Sequence, residues 1–308
     1  MSRIVVLGVY VADATFRAER QPRLGETVLG QSFALRSGGK GSNQAVAAAM
    51  AGGDVHFISR LGEDAFAAMA HDLWGAAGVT PAITVDPTSY TGAANIYVDA
   101  TSGNNAIIIC PGAAEQITPA DIDARADLIA GAKVAVTQLE QPMAAAGRFL
   151  EVARAGGVVT ILNPAPAAAL PDDMLALCDF VTPNESEAEA LTGIAVVTLE
   201  DARRAADKLM AKGVGAVVIT LGERGVLYQS RKEWVHVPAF NAGPVVETTG
   251  AGDAFNGGFS VAIAEGKSPL EAVQFGCAVA SISVTRAGAA AAMPTRSEVL
   301  QLLGSKRG

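Results

Sequence analysis

Residues 3–9, RIVVLGV, form an unbroken apolar run rich in β-branched side chains. A strand wetted on one face alternates apolar and polar residues. A run without that alternation is covered on both faces, as in a parallel sheet between two helical layers. Working outward, GSNQAVAAAMAGG at 41–53 reads as an Ala-rich helix closed by glycines. Strand and then helix recur at 55–62 and 64–78, and again at 133–140 and 144–157. Further strands are expected at 158–164, 179–184 and 216–222, with a helix at 199–213. The alternation predicts an α/β fold with a mostly parallel central sheet flanked by helices on both faces.

Two regions break the pattern. Residues 10–39 and 90–112 carry short alternating segments separated by turn residues, and SGNN at 102–105 has the composition of a hairpin turn. They predict a small antiparallel β lid, from about 10–38 and 90–111, inserted within a single domain of residues 1–308. Such a sheet is either an edge decoration or a cover over a site at the strand ends.

Half of the 308 residues are hydrophobic, enough for a sizeable core, and the net charge is −8. That balance argues against a general nucleic-acid or membrane-surface role. Any anion must be bound locally, by backbone N–H groups, a metal or a single Lys. Cys110, Cys178 and Cys277 are far apart and odd in number, which points to a reducing compartment rather than a disulfide framework. His56, His71 and His236 are equally scattered, against a zinc site. The apolar run at the start is too short for a signal peptide and is interrupted by Asp13. A soluble cytoplasmic protein is expected.

Chemistry concentrates at 246–259, VETTGAGDAFNGGF, where one carboxylate, Asp253, sits among small residues. The residues after Gly250 are helix-compatible, so Gly250, Ala251 and Gly252 should open a helix. Free N–H groups converge there and the helix dipole favours negative charge. An acid in a first turn commonly offsets the dipole. The small neighbours favour more than that, because they leave room for a hydroxyl and a phosphate to meet beside Asp253. Asp253 would then accept the proton of an attacking alcohol. SGGKGSNQAVAAA at 37–49 repeats the glycine-before-helix design, with Lys40 and Asn43 as donors. It also reads as a glycine turn with Ser42 as cap. The dinucleotide fingerprint fails, since Phe255 and Gln44 stand where its third glycine belongs, and Lys40 is followed by Gly41 rather than Ser or Thr.

These motifs, with AIIICPGAA, QLEQP, LNPAP, VTPNESEAEALTG and VVITLGERGV in the same order along the chain, resemble the ribokinase-like (PfkB-type) family of carbohydrate kinases. The resemblance covers nearly the whole length. It implies a central sheet flanked by helices, with a β lid that often serves as the contact of a homodimer. The implied reaction moves the γ-phosphoryl group of ATP to a sugar primary hydroxyl with the help of Mg²⁺. Asp253 is implied as general base, with Gly250, Ala251 and Gly252 as the anion hole. Sugar contacts carry over to Asp13, Gly39, Lys40, Asn43, Glu140 and Asp253. ATP contacts fall on Asn184, Thr220, Gly222, Gly225 and Gly252. Asn184 and Glu187 would hold the water shell of Mg²⁺, which keeps several waters. The same pair also reads as a helix N-terminus with dipole-compensating acids.

Two positions depart from the family pattern. Val11 stands where the members acting on ribose carry an Asn that contacts the sugar. An unpaired hydroxyl costs roughly 1–3 kcal/mol. Glu247 stands where the family has an Asp that binds an activating monovalent cation. A K⁺ site there would use Glu247, Thr249, Val284, Ala287 and Gly288. The expected activity is phosphorylation of the 5-hydroxyl of a pentose, D-ribose to D-ribose 5-phosphate. Deoxyribose, fructose and nucleosides are the alternatives, and a non-catalytic sugar sensor is a distant one.

Overall fold

The computed structural model describes residues 2–304. In chain order, β1 (Arg3–Leu7) leads into β2 (Val11–Ala18), β3 (Ser32–Gly38), α1 (Lys40–Met50), β4 (Asp54–Leu61) and α2 (Ala65–Ala77). Next come β5 (Thr80–Val85), β6 (Thr91–Asp99), β7 (Asn105–Gly112) and two short helices, α3 (Pro119–Asp123) and α4 (Ala126–Ala130). The middle of the chain holds β8 (Val134–Thr137), α5 (Met143–Ala155), β9 (Val159–Leu162), α6 (Asp172–Leu175), β10 (Phe180–Val181) and α7 (Glu185–Thr192). Then follow α8 (Leu199–Ala211), β11 (Ala216–Thr220), β12 (Val226–Ser230), β13 (Trp234–Val237), α9 (Ala251–Ala264), α10 (Pro269–Ser283) and α11 (Arg296–Gly304).

Among the described residues nine strands form the main sheet, in the order β13-β12-β11-β10-β9-β8-β1-β4-β5. Pairings from β11 through β5 are parallel, whereas β11–β12 and β12–β13 are antiparallel. The period of two along β1 explains why the sheet is covered twice. Ile4 and Val6 point into a core shared with α1, α2, α9 and α10, through Ala47, Trp74, Phe259 and Val279. Val5 and Leu7 point the other way, onto Phe149 and Ala153 of α5. A third cluster, with Leu162, Val181 and Val217 from the sheet, packs against α7 and α8.

The expected strands at 133–140, 158–164 and 179–184 prove shorter, ending at Thr137, Leu162 and Val181. The chain leaves the sheet there because the polar residues that follow have partners elsewhere, described below. Strands β12 and β13 lay outside the sequence reading.

A second sheet has the order β3-β2-β6-β7. Its outer pairs are antiparallel and the central β2–β6 pair is parallel. The turn expected at 102–105 joins β6 to β7. One face of this sheet overlies the carboxyl ends of the main-sheet strands, through Val9, Val11 and Ala94.

Helix α9 lies between α1 and α10 at glycine distance. A Cβ on Gly257 would stand 2.5 Å from the Ala47 Cβ and 2.9 Å from the Gln44 carbonyl oxygen, and one on Gly258 2.6 Å from a Val279 methyl. Among the described residues, no helix is long and apolar enough to cross a membrane.

Gly257→Ala sets two effects against each other. The helix gains roughly 1 kcal/mol of propensity, while overpacking against backbone costs roughly 1–3 kcal/mol. The clash involves α1 backbone, which cannot swing aside, so a lower urea midpoint is expected despite the better helix former. A raised midpoint would show that α1 and α9 can separate freely.

Candidate active site

Parallel α/β sheets gather function at the carboxyl ends of their strands, and the candidate residues lie there. Gly8 follows β1, Gln138 and Glu140 follow β8, Asn163 follows β9, and Thr182 and Asn184 follow β10. Thr220 ends β11. Helices α1 and α9 start above these ends and face one another.

Asp253 is the third residue of α9 and is buried. Its Oδ2 accepts from Asn43 Nδ2 and its Oδ1 from Gln44 Nε2, both at 3.0 Å. Burial pushes its pKa up, while the Lys40 charge and these two donors oppose the shift. The turn before it is built by glycine. Gly250 caps α9 at φ 77, a left-handed conformation, and a Cβ there would meet Ala289 at 2.8 Å. The Ala251 N–H is taken by the Thr248 carbonyl and the Ala254 N–H by that of Gly250. Between them, among the described residues, the Gly252 and Asp253 amides have no backbone acceptor. A Cβ on Gly252 would meet nothing within 4 Å, so open space lies above it. Unpaired amides beside an open space suit phosphoryl oxygens.

On the other side, Gly39 caps α1 at φ 89, where a Cβ would stand 2.5 Å from the Val9 carbonyl. The Lys40 N–H, first in the helix, donates to Glu140 Oε2 at 2.7 Å. Asp13 projects from β2 across Gly38, whose missing Cβ would otherwise stand 2.1 Å from Asp13 Oδ2. Desolvation pushes Asp13 up to about 6 and Glu140 up to about 7. Glu140 also feels Asp253 and Asp13, which raise it further, and Lys40, which lowers it. The structure thus brings Asp13, Gly39, Lys40, Asn43, Glu140 and Asp253 into one cleft.

Asn184 and Glu187 form a reciprocal cap on α7. Asn184 Oδ1 accepts the Glu187 N–H at 2.8 Å, and Glu187 Oε2 accepts the Asn184 N–H at 2.9 Å. The bland reading of this pair therefore holds, yet Glu187 also faces the cleft. Burial raises its pKa first, and the charges of Lys40 and Asp253 act on it. Its Oε1 takes no part in the cap. Among the described residues no three His, Cys, Asp or Glu side chains could together hold a metal ion. The donor set fits a largely hydrated Mg²⁺, whose water shell Asn184 and Glu187 would hold. Thr220 bridges to Asn184 across the strand ends. Gly222 and Gly225 follow in a turn at φ 57 and 93, and Gly225 is further constrained by the Val237 carbonyl, 2.1 Å from any Cβ. That contact alone requires a glycine at 225.

Of the five residues expected to hold K⁺, Glu247 and Val284 have partners within the chain. Glu247 Oε2 accepts the Gly288 N–H at 2.8 Å and lies 3.7 Å from the Arg36 guanidinium. The Val284 carbonyl accepts from both the Val246 and Glu247 amides, at 2.8 and 3.2 Å, which uses both of its lone pairs. Glu247 and Val284 are thus engaged within the chain, Gly288 turns an N–H toward Glu247, and Thr249 and Ala287 are exposed.

Gln44, Gln138, Asn163, Thr182 and Asn256 escaped the sequence reading. Their types are ordinary helix and loop residues, and their shared burial behind Asp253 arises only when three strand ends and two helices are brought together.

A model of the pfkB family of carbohydrate kinases matches residues 1–296. A ribokinase of Haemophilus influenzae is 40% identical over 97% of this chain and 98% of its own. A deoxyribokinase of Salmonella typhi is 36% identical over 95% of each. The structure of Arabidopsis thaliana ribokinase complexed with ribose and ATP superposes with a TM-score of 0.93, at 33% identity and 98% coverage of both chains.

Glu140 yields a pH prediction. Its folded-state pKa of about 7 lies above the ordinary 4.5, so the folded protein binds the proton more tightly than the unfolded chain. Its contribution to stability is full below about 4.5 and is lost as pH rises through about 7. Glu140→Gln keeps an acceptor for the Lys40 amide and removes the titration. It is expected to melt above the wild type at alkaline pH, with the difference shrinking on acidification. A pH-independent difference would refute the shifted carboxyl.

Proposed function

The chain belongs to the pfkB family of carbohydrate kinases, and from that premise we propose that it transfers the γ-phosphoryl group of ATP to the 5-hydroxyl of a pentose, D-ribose first. It is a phosphotransferase with an alcohol acceptor. The observation that carries the reading is the buried Asp253 carboxylate, held by two amide donors directly beside the unpaired amides of the α9 turn.

In this reading the sugar lies between the small sheet and α1. Asp13, with its pKa raised to about 6, is largely ionised at neutral pH, and Glu140, raised to about 7, is about half ionised there; both accept from pairs of hydroxyls. Asn43 and Lys40 donate. The sugar 5-oxygen attacks the γ-phosphorus while the bond to the β,γ-bridging oxygen breaks, and ADP departs with that electron pair. The hydroxyl proton passes to Asp253. Each Asp253 oxygen has one amide donor and keeps a lone pair for this purpose. A loose transition state leaves proton removal late, so a modest base suffices. The Gly252 and Asp253 amides receive the phosphoryl oxygens, and Thr220, Gly222 and Asn184 border the rest of the nucleotide. Mg²⁺ bound to the triphosphate would neutralise its charge, and Glu187 and Asn184 would hold its water shell. K⁺ stays part of the proposal at Glu247, Thr249, Val284, Ala287 and Gly288, where its binding would displace the contacts that Glu247 makes with Gly288 and Arg36.

The exposed edge strand β7, with Ile107, Ile108 and Ile109 each more than half exposed, is the surface proposed for a second copy of the chain. The three cysteines are free, in keeping with a cytoplasmic site of action.

Deoxyribose is a second reading with its own observation. Val11 is 2% exposed and belongs to the apolar cluster with Val9 and Ala94. It shares a strand face with Asp13. An apolar wall at this point tolerates a sugar that lacks a hydroxyl.

A coupled ADP-release assay over ribose, deoxyribose, fructose and nucleosides tests the function. Release with ribose is expected, and Asp253→Asn should lower turnover by about 10²–10⁴ while both substrates still bind. No release with any acceptor would leave a sugar-binding protein without transfer. Val11→Asn should raise the ribose-to-deoxyribose ratio of kcat/KM by roughly tenfold. An unchanged ratio would remove residue 11 from the sugar site.

A further inference from the structure

We propose that Gln44 is a positioning residue for Asp253, and that the backbone carbonyl of Thr182 sets which end of the Gln44 amide meets the carboxylate. The proposal rests on Asp253 as the base.

A carbonyl oxygen can only accept. The Thr182 carbonyl accepts from Asn163 Nδ2 at 2.9 Å, so Asn163 must turn its Oδ1 the other way. That oxygen accepts from Gln44 Nε2 at 3.0 Å, which commits the Gln44 amide in turn. Gln44 Nε2 has two protons. One goes to Asn163 and the other to Asp253 Oδ1, at 3.0 Å. The remaining Gln44 oxygen accepts from Gln138 Nε2 at 2.7 Å. Gln138 keeps this orientation although its own Oε1 is buried without a partner. Flipping it would set oxygen against oxygen and strand two donors instead of one acceptor.

Thr182 acts in a second direction. Its Oγ1 donates to Asn256 Oδ1 at 2.6 Å, and Asn256 Nδ2 donates to the Gly252 carbonyl at 2.9 Å. One residue at the end of β10 therefore ties down both the base and the glycine turn beside it. Thr182, Gln44, Gln138 and Asn256 are each at most 1% exposed, so water does not compete for these bonds.

The charged groups facing Asp253 are Lys40 from α1, Glu140 beyond β8 and Glu187 from α7. None of them is altered by substituting Gln44. Gln44→Met preserves length and shape but removes the donor. The expected outcome is a kcat lower by about tenfold, with KM for ribose within about twofold. The acidic limb of the kcat profile should also move to higher pH, because the ionised carboxylate has lost a stabilising bond. Loss of kcat with an unmoved limb would assign Gln44 a packing role only and overturn the proposal. Asn163→Leu tests the polarity relay through the same limb. It frees the Gln44 amide to turn, and an unmoved limb there overturns the relay even should Gln44→Met not fold. Failure of the base assignment looks different: Asp253→Asn would then turn over normally, whereas failure of this proposal leaves Asp253→Asn inactive and Gln44→Met normal.

Discussion

The site depends on burying one carboxylate between the starts of two helices. Such a group is costly to desolvate unless donors surround it. Here α1 supplies Asn43 and Gln44, while α9 supplies Asp253 itself. The donors reach only because α9 approaches α1 with no side chain between them at Gly257. The same approach places both helix N-termini, with their partial positive charge, around the cleft. Packing, electrostatics and chemistry are thus consequences of a single close contact.

Other features follow from that contact. The small sheet brings Asp13 over the cleft, and Gly38 is glycine because the Asp13 carboxylate occupies the space of its Cβ. Glu140 is held against the first amide of α1. Three carboxyl groups then share a poorly hydrated region with the charge of Lys40 nearby. Burial is the main cause of their raised pKa values, and the proposed sugar would donate hydroxyls to them.

Much of this was legible in the sequence. The apolar run at 3–9 and the recurring helices announced a sheet covered on both faces, and the small residues around Asp253 marked a helix start whose Gly252 and Asp253 amides have no backbone acceptor. The legible features were local: periodicity, glycine before helix, an acid among small residues. The rest was not, for a physical reason. Gln44, Asn163 and Asn256 acquire meaning only through partners 119, 19 and 74 residues away. No spacing rule encodes such pairings. Gly225 shows a different case: whatever contact it makes with a nucleotide, the neighbouring Val237 carbonyl already leaves no room for a Cβ there. The pair Asn184 and Glu187 shows a third case, where a capping box and a position facing the cleft coexist in the same residues.

The division of the cleft between two sheets carries one more implication. Asp13 and Val11 belong to β2 of the small sheet, whereas Asp253 and the glycine turn belong to α9 and are locked to the ends of the large one. In the proposed function, the part of acceptor choice that rests on Val11 and Asp13 therefore resides on a different piece of architecture from the bond-making chemistry. Evolution can exchange residues on the former and explore new sugars while the latter stays untouched.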